Sequence, residues 1–117
     1  MTESEENIIT LLQKVAVQLF PEDYLEKEDN RRIMMEKIQL RNTELYLAIK
    51  DFILAYESLE FIASDYQLRL KAADIWKSQK EMFVNVFKTR SEDLKTAAAN
   101  SNINIEDELK SILILSE

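Results

Sequence analysis

Carboxylates are the side chains in this chain whose spacing comes nearest to chemistry. Glu57-x-x-Glu60, followed by Asp65, sets acids about one helical turn apart, a geometry that offers oxygens to one Mg²⁺ ion. Glu26-x-x-Asp29 repeats the spacing in a polar stretch without apolar framing. An all-α Mg²⁺-dependent nucleotide hydrolase needs two such pairs on adjacent helices, and residues 66–105 contain no Glu-x-x-Asp or Glu-x-x-Glu. With 22 acids in 117 residues, two short matches arise by chance, so a solvated charged face is the preferred reading.

The remaining catalytic parts are missing together. There is no His, which removes the usual general base at neutral pH and the commonest transition-metal ligand. There is no Cys, hence no thiolate nucleophile, zinc thiolate or disulfide. There is no Gly, so phosphate-cradling loops and the tight turns of many active sites are out of reach. These losses predict a protein that is not an enzyme and holds no cofactor or metal.

Bases interleave with aromatics from Arg69 through Lys71, Trp76, Lys77, Lys80, Phe83, Phe87 and Lys88 to Arg90. That pattern suits an anionic lipid or nucleic-acid surface. Against it stands a net charge of −7, which repels phosphate backbones. A core helix with a solvated basic face is preferred, with neither nucleic acid nor membrane as a partner. The apolar run Ile112–Leu115 is too short to span a bilayer. The acidic start, Met1 to Glu6, is unlike a secretory leader, and no Asn-x-Ser/Thr sequon occurs. A cytoplasmic location is therefore expected.

The elements that must carry these residues are helices. Pro21 is the single proline, and with no Gly the chain has few breakers. A first helix is expected over 1–20, where Thr2 and Glu5 read as a capping box and Ile8, Leu12, Val15 and Leu19 form one face. Residues 21–30 read as an acidic connector. A long helical region follows over 31–99. Its seam Leu45, Ile49, Phe52, Tyr56, Leu59, Ala63, Tyr66, Leu70 and Ala73 alternates by four and three, as in a coiled coil. The seam fails beyond Ala73, where Lys77 and Lys80 fall on core positions, so a break is expected near 64–78, with Ser64 and Ser78 as candidate caps. Asn100-Ser101-Asn102 marks a loop, and a last helix is expected over 104–115. The fold class is all-α: a bundle of four to five helices with a long central heptad-patterned helix.

A second apolar column repeats every seven residues opposite the seam: Ile33, Leu40, Leu47, Leu54, Phe61, Leu68, Ile75 and Met82. A surface helix ordinarily has one apolar face. A second one predicts contact from both sides, and Leu40, Leu47, Leu54, Phe61, Leu68 and Ile75 form the candidate interface. The expected function is a non-catalytic protein–protein interaction module, an adaptor or complex subunit that associates with itself or with another protein. The alternative is a small acidic inhibitor or chaperone that masks a basic surface. Residues 1–60 hold 13 acids and 7 bases, with Glu22, Asp23, Glu26, Glu28 and Asp29 clustered in the connector.

Overall fold

The described residues form five α-helices: α1 (Glu3–Leu19), α2 (Arg31–Arg41), α3 (Thr43–Leu68), α4 (Ala73–Asn100) and α5 (Glu106–Leu113), with a 3-10 turn at Pro21–Asp23. The computed structural model describes residues 3–23, 28–68 and 73–113, without the side chains of 23, 62–68 and 73–78. The all-α bundle expected from the sequence is present.

Polar side chains reveal how the helices run. Ser4 Oγ donates to Glu60 Oε1 (2.7 Å) and Asn7 Nδ2 to Tyr56 Oη (3.1 Å), which places the start of α1 beside the second half of α3. The end of α1 lies by the start of α3, where the Arg41 guanidinium reaches the Leu19 carbonyl and Glu22 Oε1. Arg31 at the start of α2 pairs with Glu57 (2.9 Å). So α1 and α2 both run antiparallel to α3 and parallel to each other. The connector must return along the bundle, and Gln13 Nε2 holds it there through the Glu28 carbonyl (2.7 Å). The largest contact joins α3 to α4 in a long hairpin.

The sequence accounts for each boundary. Glu3, Glu5 and Glu6 occupy the first turn of α1, where carboxylates suit the helix dipole; the capping Thr2 lies outside the described residues. Pro21 disfavours helical geometry at Phe20 and ends α1 at Leu19. Arg41 then stacks 4.8 Å above the Phe20 ring, a cation on a buried aromatic at a helix C-terminus. Asn30 caps α2 by accepting from the Ile33 N–H (3.2 Å).

Within 31–99 the helix breaks at Asn42, a boundary that the sequence reading did not place. The Asn42 N–H closes the last turn of α2 on the Ile38 carbonyl. Its side-chain oxygen accepts from the Leu45 N–H (3.0 Å), which caps α3, and its Nδ2 donates to Ser101 Oγ (2.8 Å). One residue thus ends a helix, starts another and ties both to the end of α4. The later boundary, with α3 ending at Leu68 and α4 starting at Ala73, lies within the 64–78 span where a break is expected, but neither Ser64 nor Ser78 begins a helix.

The α4 terminus solves a problem set by the absence of glycine. Asn102 is the described residue with a left-handed backbone, φ 58°. The Ile103 N–H bonds to the Ala98 carbonyl (2.9 Å) and the Asn102 N–H to Ala99 (3.1 Å). This is a Schellman end with Asn in the usual glycine position, and Ile103 is buried beside it. Gln18 then clamps the turn to α1, exchanging two hydrogen bonds with the Asn104 backbone (2.7 and 2.8 Å). Asn104 Oδ1 accepts from the Glu106 N–H (3.1 Å), and α5 (Glu106–Leu113) begins at Glu106 rather than 104, while residues 114 and 115 of the expected helix lie outside the described residues.

The core lies between the inner side of α3 and its neighbours. Leu45, Ile49, Phe52, Tyr56 and Leu59 are buried there, as the seam requires, while the seam side chains from Ala63 onward lie outside the described residues. Phe52, Tyr56 and Phe87 form an aromatic trio with ring centroids 5.4–6.3 Å apart. On α4, Phe87, Ser91, Leu94 and Ala98 make a four-and-three row facing α3, and the buried Ser91 hydroxyl donates to the Phe87 carbonyl (2.8 Å).

Candidate interaction surface

On α3 the outer side is built by residues half a turn away from the buried seam. Leu47 is 48% exposed, Leu54 55% and Phe61 70%; Leu40, on the last turn of α2, is 89% exposed. Ile33 on α2 and Met82 and Val86 on α4 are exposed as well. Of the six candidate interface residues, these four stand in solvent, while the side chains of Leu68 and Ile75 lie outside the described residues.

The break at Asn42 corrects the picture of a single column. Ile33 and Leu40 belong to α2, which folds back along α3, so the sevenfold repeat in the sequence is divided among three helices. The helices that flank α3 can be assigned. Glu57 faces α2 through its bidentate pair with Arg31 (2.9 and 3.3 Å). Asp51 and Ser58 face α4, where with Leu54, Met82, Phe83, Val86 and Arg90 they line a groove of about 300 Å³. Lys50, one helical repeat before Glu57, lies on the α2 flank. A second groove, about 270 Å³, lies between the end of α4 and α5 beside Ala98, Ile105 and Leu109.

The carboxylates do not converge. Glu57 is engaged by Arg31 and Glu60 accepts from Ser4, and the Asp65 side chain lies outside the described residues. Among the described residues no group of three acids is placed to hold a metal ion. In the connector, Glu22 pairs with Arg41 (3.1 Å), Glu28 accepts from the Asn30 N–H (3.0 Å) and Asp29 is exposed. The Asp23 side chain and all of Glu26 lie outside the described residues. The basic–aromatic segment is divided: Phe87 is core, Lys80 and Lys88 are exposed, Arg90 pairs with Asp93, and Arg69, Lys71 and the Trp76 and Lys77 side chains are not described.

Burial against the aromatic trio pushes the Tyr56 phenol above its ordinary value of 10.0; the Asn7 hydrogen bond opposes this, and the charges of Glu60 and Glu3 add to it. Tyr56 is therefore a neutral fastener between α1 and α3.

Among the described residues no helix is long and apolar enough to cross a membrane. Fold and surface together define an all-α bundle built on a long hairpin whose central helix keeps a second apolar side in solvent. No family model, curated protein or solved structure matches the chain.

Proposed function

We propose that this chain is a cytoplasmic, non-catalytic protein–protein interaction module, an adaptor or complex subunit that docks through the outer side of α3. The observation that carries the reading is the solvent-exposed row Leu47, Leu54 and Phe61, joined by Met82 and Val86 across the groove. Single exposed apolar residues are ordinary, but a contiguous patch of large ones marks an interaction site. Burying each such side chain is worth roughly 1.5–3 kcal/mol. The acids suited to chemistry are committed to Arg31 and Ser4, which supports binding over catalysis. The acidic-inhibitor alternative draws less support, because Glu22 and Glu28 are spent on internal contacts.

The test is affinity capture with the wild-type chain and with the Leu47→Asp/Leu54→Asp double variant, counting a differently tagged copy of the chain as possible prey. The expected result is a bound protein lost with the double variant. Equal recovery by both chains overturns the reading.

A further inference from the structure

Resting on that docking reading, we propose that the occupant of the α3 outer side is a second copy of this chain, packed antiparallel about a two-fold axis that crosses α3 near Leu54.

Symmetry decides what meets what. A two-fold axis perpendicular to α3 and lying in the interface brings each flank of the helix onto the same flank of the second copy. Exposed apolar residues flank the α3 row on both sides, Ile33 and Leu40 on α2 and Met82 and Val86 on α4, and those of α4 share one groove with Leu54. The antiparallel arrangement sets these residues against their own counterparts and closes groove on groove. Hairpin pairs α3–α4 of the two copies then make a four-helix layer with the packing of an ordinary bundle. A parallel arrangement instead lays the α4 flank on the α2 flank, so the groove meets Lys50, Ile33 and the Arg31–Glu57 pair rather than a second groove.

Register follows from distance to the axis. Leu54 meets its counterpart, and Leu47, seven residues before it, meets Phe61 of the second copy, seven after. On the α2 flank Lys50 lies four residues before Leu54 and Glu57 three after, so each Lys50 faces the other copy's Glu57. Lys50 has no ion-pair partner among the described residues, and the contact repeats twice by symmetry. On the α4 flank Asp51 faces Ser58. The complementarity is thus concentrated at the centre, where a symmetric interface places its anchors.

The chain contains no Cys, which makes disulfide mapping clean. Sedimentation equilibrium of the full chain is expected to give twice its 13.8 kDa mass. Under mild oxidation Leu54→Cys is expected to cross-link with itself. Leu47→Cys mixed with Phe61→Cys is expected to give the mixed dimer in preference to either self-linked product. The Leu54→Asp variant, checked for helix content by circular dichroism, is expected to weaken dimerisation by roughly 30-fold or more, as for the loss of a central anchor. Self-linking of Leu47→Cys and of Phe61→Cys without the mixed product overturns the antiparallel register. A 13.8 kDa species at every concentration overturns the second copy as occupant. In that case a captured protein lost with Leu47→Asp/Leu54→Asp leaves the docking reading standing. A dimer unaffected by that double variant overturns both.

Discussion

Leu45, Ile49, Phe52, Tyr56 and Leu59 on one side of α3 are buried, while Leu47, Leu54 and Phe61 on the other stand in solvent. The same helix presents the same kinds of residue in two directions. The inner row meets α4 through the aromatic trio and is closed by α1 and α2. Among the described residues no helix of the same chain covers the outer row, because α2 and α4 are spent on the flanks. What separates the two rows is the supply of partners rather than hydropathy. Inner residues contribute to folding; outer ones contribute little to it, and their apolar character awaits another surface.

The sharpest way to test this contrast is to truncate the centre of the inner row. Phe52 is fully buried between Tyr56 and Phe87. Phe52→Ala removes the transfer energy of a ring and leaves a cavity, a loss of about 3–5 kcal/mol. Urea denaturation followed by circular dichroism should show a large drop in the midpoint. A small drop would mean that the hairpin core is looser than its ring contacts imply.

Next in size is the turn that aligns α4 with α5. Asn102→Ala places a Cβ without a compensating polar group at φ 58°, at a cost of about 1 kcal/mol, whereas Asn102→Gly should be close to neutral. Paired melts of the two variants separate backbone conformation from loss of the side chain. Equal destabilisation by both would assign the effect to the asparagine side chain instead.

The inner row was legible because it alternates by four and three with large residues, and the outer one because it repeats every seven on the opposite side. The break at Asn42 was harder to see. Ile38, Asn42 and Leu45 continue the same four-and-three spacing, so a continuous helix would bury an asparagine in the seam. The fold ends the helix there instead and uses all four polar functions of Asn42: its N–H, its carbonyl, Oδ1 and Nδ2. A polar residue on a core position was the available signal. The α4 row stayed hidden because Ser91 and Ala98 look weakly apolar, and it becomes a core row once Ser91 satisfies its hydroxyl on the Phe87 carbonyl. Which residues of the outer side gather around a groove depends on how α3 and α4 pair, and no periodicity within one helix encodes that.

A smaller effect should appear at the edge of the inner row. Tyr56→Phe loses the Asn7 hydrogen bond, about 1 kcal/mol or less because Asn7 is only half-buried. The pH dependence adds a signature. The folded phenol titrates above 10.0, so the unfolded chain releases this proton first. Stability from the neutral phenol is fully present below pH 10.0 and is lost as pH rises through the folded value. The difference in stability between wild type and Tyr56→Phe should therefore shrink above that pH. A difference that stayed constant through the alkaline range would show that Tyr56 ionises equally in both states.

The smallest expected effect on folding carries the other half of the comparison. Leu54→Ser, measured at protein concentrations where the chain is monomeric, should change unfolding free energy by about 0.5 kcal/mol or less, as for an ordinary surface site. Phe52, two residues away on the same helix, should cost several times more. The condition on concentration matters. If the outer side is covered in an assembly, the midpoint of the wild-type chain will rise with concentration by mass action, and the Leu54→Ser chain will not follow it. Two denaturation series, one dilute and one concentrated, read both quantities from the same samples. A large loss in the dilute series would place Leu54 in the intramolecular core and erase the distinction between the two sides of α3.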